Sequence, residues 1–486
     1  MKLLDSLSKS KFAFAAFLIP LSIRAIPEIL VGPYPVGWDT IAFYVPNTLD
    51  WAAGKAGIAE IIGTAPLMYM ISVPVYLLSR INPVWIFKIM GPVLYGSTIL
   101  ALFGFLRQGL KWKNRDAVGA ALFTSIYFVT LRISWDLYRN MLGLAFLLVA
   151  MAYLRSPKSL RNQVIIALSI IGAVSADQLT GTLALVLIGS RALEELLKGN
   201  KTISKNLVQA LAPGLVLFFS ILYADLSILG NSLGLQQSSN PNLQGIVDSL
   251  GFLGLAYLPL LPLVALGIRR VSNLELRSWS FFCAAASLTA LLPLPGLNVS
   301  AYRWSLLLSI PLCVFAAAGL SRLVSMRPNM ALGKLLHAGI LPVISSFMLI
   351  SAILYIALPA QLAMPYYAVY PSLLPTSMVQ DTVPVSEMGH LHDLLVLVNE
   401  RSGPGTVLIT HQAVYGWARA YNGSEPIVNY KYSSPLEGVR IARQLGYSSI
   451  LMIWWVQGSG LHGQSTVPSG FFAISTMGNL AEYEYR

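Results

Sequence analysis

Residues 33–46 read Pro-Tyr-Pro-Val-Gly-Trp-Asp-Thr-Ile-Ala-Phe-Tyr-Val-Pro. Asp39 stands there between a Gly-Trp turn and an aromatic run, the first acid after Glu28 in a chain with only 21 acids among 486 residues. A carboxylate beside apolar segments is expensive to keep ionised, so it defaults to a functional candidate. The chemistry that suits it is proton abstraction, with Asp39 as a base at the mouth of a membrane-embedded site. A simpler role competes: an interfacial Asp that caps a short helix starting at Thr40.

Cations at the rims of apolar runs form the second group. They are Lys88, Arg132, Arg139 and Arg303, with Arg24 deeper in the first run. Arg139 and Arg303 each open such a run, and the planar guanidinium fork matches phosphate oxygens. Arg303, Arg139 and Lys88 are therefore the candidate binders of a lipid phosphate, against the alternative that each side chain snorkels to headgroups. Trp38 and Tyr44 flank Asp39 and are candidates to line the same site. Asp136 and Arg139, three residues apart, can also pair on one helix face. Asp177, in the polar tip Ser175-Ala-Asp177-Gln178, is either a helix cap or a lining acid. His390, His392 and His411 have no acid cluster beside them and read as solvated surface, so no metal ligand is assigned. Cys283 and Cys313 both lie in hydrophobic runs, which indicates neither a disulfide framework nor a zinc site.

The elements that must position these groups are mostly apolar. Hydrophobic residues make up 55% of the chain and charged ones 11%, with a mean hydropathy of +0.65. That balance belongs to an α-helical polytopic membrane protein in contact with lipid bilayer, not to a soluble globule, and the net charge of +12 does not point to nucleic acid. Runs that approach the roughly 20 residues needed to cross hydrocarbon lie near 13–31, 83–106, 116–132, 137–154, 163–176, 177–190, 207–228, 250–268, 278–295, 303–321 and 336–358. Arg24 interrupts the first run and no small-residue cleavage site follows, so it reads as a retained helix. Basic residues cluster at the N-terminus and in 107–115, 155–162, 191–206, 269–277 and 322–334, which together hold 20 of the 33 Lys and Arg. All six fall on one side of a bilayer only if 61–80 does not span and 163–190 is a hairpin of two short helices. The expected topology has about eleven spans, with the N-terminus cytoplasmic and the C-terminus outside.

This layout makes 1–358 a transmembrane module, with 32–82 as a large first outer loop carrying interfacial helices. Another outer loop, 229–249, is rich in Asn, Gln and Ser and is either a lid or a plain linker. Residues 359–384 read as a linker, within which 365–375 is marked by aromatic residues and Pro. Residues 385–486 read as a small extracytoplasmic α/β domain. Helices are expected at 392–399 and 435–445, with strands at 406–410, 449–454 and 478–485. No Gly-rich phosphate loop opens its helices.

Gly37-Trp38-Asp39-Thr40-Ile-Ala-Phe-Tyr44 resembles the first-outer-loop acid segment of the GT-C superfamily of polytopic glycosyltransferases. Thr64-Ala-Pro66-Leu67-Met-Tyr69 is similar to the Lys-Pro-Pro-Leu-Gly element of its protein O-mannosyltransferases and aminoarabinose transferases, with Thr64 in place of the Lys. Val398-Asn-Glu-Arg-Ser-Gly-Pro-Gly-Thr-Val-Leu-Ile-Thr410, followed by His411-Gln-Ala-Val-Tyr415-Gly416-Trp417, resembles the outer domain of archaeal oligosaccharyltransferases, which hints at an archaeal source. There a Trp-Trp-Asp-Tyr-Gly motif occupies the second position. Its tryptophans and aspartate are absent here, so acceptor-sequon recognition does not carry over.

The resemblance implies an inverting glycosyltransferase in the plasma membrane. It would move a sugar from a polyprenyl-phosphate-linked donor to a glycan, lipid or protein acceptor on the outer face. Asp39 would be the base, and Arg303, Arg139 and Lys88 would hold the donor phosphate. A divalent metal, Mg or Mn, enters only through the oligosaccharyltransferase branch, whose Asp-x-Asp motif has no counterpart here. Two other functions share these residues: a transporter or flippase of lipid-linked sugars, and a non-catalytic scaffold that binds envelope polymer. The first would call for internal repeats with broken helices, and no convincing repeat is present.

Overall fold

The computed structural model describes residues 2–486 except 156, 158, 233–249, 255, 292–296, 326–338, 340, 358–380, 422–425, 432 and 458–465. Most of the chain is helix, and the strands lie in its C-terminal part. Among the described residues five helices are long and apolar enough to cross a membrane: Lys11–Leu30, Pro83–Gly109, Lys201–Ala224, Leu250–Ile268 and Ala301–Ser325. A sixth candidate is the pair Asn114–Ile126 and Phe128–Asp136, bent by 69°. The single straight helix expected over 116–132 is thus broken, because Tyr127 leaves the helical region (φ −73°, ψ 125°).

Other expected runs are helical but short. Tyr138–Tyr153 and Leu160–Ala176 have 16 and 17 residues, about 25 Å each at 1.5 Å per residue, less than a roughly 30 Å hydrocarbon core. The run expected at 278–295 leaves α-helical geometry at Ser287, where Leu274–Ser287 passes into a 3-10 turn. The hairpin expected at 163–190 is present as Leu160–Ala176 and Gln178–Leu197, hinged at an extended Asp177 (φ −161°, ψ 137°).

Residues 32–82, expected as the first outer loop, fold as a chain of short helices. A π-helix at Thr40–Tyr44 runs into Val45–Ala52, and Ile58–Gly63 and Leu67–Ser79 follow. Ala65 separates the last two with φ +53°, a left-handed conformation costing roughly 1–2 kcal/mol for a residue with a Cβ. Broken there, 61–80 has no single helix with the length of a span. Asn82 then caps the next helix, its side chain accepting from Val84 N at 2.9 Å, with Pro83 at the position where a missing N–H costs nothing.

Among its described residues the C-terminal part carries five strands: β1 (Thr406–His411), β2 (Ile427–Lys431), β3 (Ser449–Trp455), β4 (Phe471–Met477) and β5 (Leu480–Tyr485). They form one sheet in the order β2-β1-β3-β5-β4. β1 is parallel to β2 and β3, while β5 is antiparallel to β3 and β4. Buried on both faces, β1 and β3 are built around the apolar runs Val407–Ile409 and Ile450–Trp455, which is why they are visible in the sequence. The sequence reading lacks β2, β4 and the helix Gln412–Tyr421. The expected loop 229–249 lies outside the described residues except at its helical start through Ser232, and so does most of 359–384, including 365–375.

Candidate functional site

The Asp39 loop is shaped by Gly37, whose φ is +90°. A Cβ there would stand 2.4 Å from Asp136 Cβ, so the chain can pass this close only as glycine. Two carboxylates hold the backbone: Gly37 N donates to Asp381 Oδ1 at 2.6 Å, and Asp39 N donates to Asp136 Oδ2 at 3.3 Å. Asp39 precedes the π-helix with helical φ and ψ of −62° and −27°, and its side chain makes no capping hydrogen bond. The carboxylate is left to face a cavity.

That cavity measures about 370 Å³, at the small end of the range for ligand pockets. Five of the eight residues singled out in the sequence line it: Asp39, Tyr44, Arg139, Asp177 and Arg303. They come from four separate stretches of chain. Arg303 Nη2 lies 3.6 Å from Asp39 Oδ2. Arg139 is oriented by a hydrogen bond from Nε to Ala176 O at 3.2 Å, at the negative end of the helix Leu160–Ala176. Asp177 fills both roles considered for it. It caps the next helix by accepting from Thr180 N at 2.9 Å, and it takes Asn140 Nδ2 at 2.8 Å while lining the cavity. Burial pushes the Asp39 carboxyl up to about 6, and the neighbouring Asp136 adds to the rise; Arg303, Arg132 and Arg139 pull against it.

Three sequence candidates lie elsewhere. Lys88 does not reach the cavity. Its ammonium donates to Glu28 O at 2.9 Å, Glu28 Oε2 at 3.0 Å and Tyr34 O at 2.7 Å. Glu28 also takes Arg24 at 2.7 Å, so a buried acid ties both cations to the end of the first helix. Asp136 lies behind the Asp39 backbone rather than in the cavity wall, and its partner is Arg132 at 2.6 Å instead of Arg139. The helix breaks at Leu137 (φ −87°, ψ 55°), which turns Arg139 away from Asp136. Trp38 is half-buried and outside the lining.

Sequence reasoning missed Asn47, Tyr69, Asn140 and Gln178 in the cavity wall. Asn140 and Gln178 directly follow Arg139 and Asp177, and that adjacency was the available signal. Thr64 and Tyr69, from the segment resembling the Lys-Pro-Pro-Leu-Gly element, also line it. Comparison of the chain with protein-family models and with curated proteins finds no match.

Among the described residues no group of three His, Cys, Asp or Glu is placed to hold a metal ion. Of the two lining acids, Asp39 faces Arg303 and Asp177 is engaged by Asn140 and Thr180 N.

The C-terminal domain reaches the same loop. Gln412 Nε2 donates to Ala42 O at 3.1 Å, Trp417 Nε1 to Thr382 Oγ1 at 2.8 Å, and Arg419 pairs with Asp50. His411, expected on the surface, is 2% exposed and packs edge-on against Trp454. It ends the buried strand β1, so its neighbours rather than solvent surround it. Gly416 sits where a Cβ would come within 1.5 Å of Ile41 O. Gly416→Ala is therefore expected to push this helix off the π-helix that follows Asp39 and to destabilise the protein by about 1–3 kcal/mol. A thermal melt checks it, and an unchanged melting temperature would contradict the close docking.

Asp381 is the acid the sequence reading left out. Its Oδ2 is closed off from solvent with no hydrogen-bond partner among the described residues. Burial raises its carboxyl well above the usual range, with Asp136 and Glu28 adding to the rise. An acid raised in the folded state stabilises the fold below its unfolded pKa, and that stability is lost as pH rises through the folded value. Asp381→Asn keeps an acceptor for Gly37 N and removes the charge. It is expected to lessen the loss of stability between acidic and neutral pH, read from melting temperatures across that window. Identical pH curves for variant and wild type would contradict it.

Proposed function

We propose that the protein is an inverting membrane glycosyltransferase of GT-C type that uses a polyprenyl-phosphate-linked sugar as donor. The reading includes eleven spans, a cytoplasmic N-terminus and a cavity that opens outside the plasma membrane. One observation carries it: the Asp39 carboxylate faces Arg303 and Arg139 in a polar cavity of about 370 Å³ that Asn140, Asp177 and Gln178 also line.

In this mechanism Asp39 takes the proton of an acceptor hydroxyl, since a general base works best with a pKa near the operating pH. The acceptor oxygen attacks the anomeric carbon as the bond from that carbon to the phosphate oxygen breaks. The electron pair leaves with the lipid phosphate, whose charge Arg303 and Arg139 neutralise. Arg303 is suited to move from Asp39 to the phosphate because its side chain is 37% exposed. Asn140, Asp177 and Gln178 offer donors and acceptors to sugar hydroxyls. No step runs through Lys88.

The test uses full-length protein in lipid nanodiscs with a panel of polyprenyl-phosphate sugars and candidate acceptors, followed by mass spectrometry. Release of polyprenyl phosphate together with a glycosylated acceptor supports the reading. Donor that crosses between leaflets of a vesicle without cleavage would replace it with the transporter.

A further inference from the structure

A second large concavity lies among the apolar helices. It is a groove of about 860 Å³ between Leu250–Ile268, Leu274–Ser287 and Ser309–Ser325. Its walls are almost wholly apolar, and Leu261, Phe281 and Leu288 are exposed in it at 47%, 77% and 46%. One edge follows the chain from Leu253 to Arg269, roughly 25 Å at helical rise, ample for the acyl chains of one leaflet. The wall is stiff. A Cβ on Gly267 would stand 1.8 Å from Phe315 O, and one on Gly319 would stand 2.0 Å from Leu263 O, so these two helices touch backbone to backbone.

Two charged residues line this groove, Arg269 and Arg277, and both are cations at the same end. Both are exposed, and neither has an acidic partner among the described residues. Arg277 Nη2 donates only to Ile268 O, at 3.3 Å. Beside them, Lys111, Lys113 and Arg270 share a 260 Å³ pocket with one acid, Asp116. This end is remote from the Asp39 cavity. Arg322 Nη1 reaches Leu266 O at 3.5 Å, whereas Arg303 lies 19 residues earlier in the span Ala301–Ser325, roughly 28 Å away along a helix.

We propose that this groove binds an anionic phospholipid of the bilayer, with an acyl chain along the apolar wall and the phosphate between Arg269 and Arg277. Charge complementarity selects the occupant: a chain-shaped apolar slot ending in two arginines that have no acidic partner among the described residues fits a lipid whose head carries net negative charge. The site is independent of the glycosyltransferase reading, and its test needs no turnover.

The full-length protein is equilibrated with vesicles of equal parts phosphatidylglycerol and phosphatidylcholine, and the retained lipid is counted by native mass spectrometry. Wild type is expected to retain phosphatidylglycerol with about tenfold preference, and Arg269→Gln/Arg277→Gln to lose that preference. Ala284→Trp, which fills the middle of the slot, is expected to lower retention of both lipids. Equal retention in wild type, unchanged selectivity in the double variant or unchanged retention in Ala284→Trp would each overturn the site. Polyprenyl phosphate added to the vesicles and retained ahead of phosphatidylglycerol would overturn the phospholipid as its occupant.

Discussion

Asp39→Asn is expected to lower sugar transfer by about 10²–10⁴-fold, the usual contribution of a positioned general base. The fold should survive, for a specific reason. The Asp39 side chain makes no capping hydrogen bond, and the loop is held instead through its backbone N–H groups by Asp136 and Asp381. An amide of the same shape keeps those contacts and removes only the ionisable oxygen and the charge facing Arg303. Transfer rates and melting temperature together check this. A large fall in melting temperature would mean that Asp39 is structural, and a wild-type rate would remove it from the mechanism.

The second large effect belongs to Arg303. Its guanidinium is the lining cation nearest to Asp39, at 3.6 Å. Removing it takes away charge stabilisation where the phosphate departs, so Arg303→Gln is expected to cost about 10²–10³-fold in kcat. Arg303→Lys restores the charge but not the two-pronged geometry, and should recover only part of that loss. Steady-state kinetics in nanodiscs separate the outcomes. A rise in KM with unchanged kcat would mean that Arg303 binds ground state and transition state equally and would contradict its role at the departing phosphate.

The centre of the site was legible because charge is scarce in this chain. Asp39, Arg139, Asp177 and Arg303 could be selected from four distant stretches on the cost of an ionisable group beside apolar runs, and the fold brings them to one cavity. The same cost does not reveal which partner offsets it. Lys88 looked like a phosphate binder until Glu28 and the Tyr34 carbonyl supplied its contacts. Asp136 looked like a partner for Arg139 until the break at Leu137 left it with Arg132.

Backbone irregularity was equally hidden. The 69° bend at Tyr127 carries no Gly or Pro, so hydropathy alone reads through it. In the C-terminal domain β1 and β3 announced themselves as buried runs. β2 has five residues with Asn429 and Lys431 interrupting its apolar ones, and β4 is an edge strand whose apolar start, Phe471–Ile474, is largely exposed rather than buried as in a central strand. Asp381 lay beyond any periodicity signal, in a linker that sequence gives no reason to fold back onto Gly37.

The most direct test of Asp39 as the base is the pH dependence of kcat/KM for donor turnover, measured side by side in wild type and Asp39→Asn. With the free carboxyl raised to about 6, wild type is expected to gain activity through that pH and level off above it, while the variant stays low and flat across the same range. Matching profiles in the two proteins, or a wild-type rate that ignores pH between 5 and 7, would contradict the role assigned to Asp39.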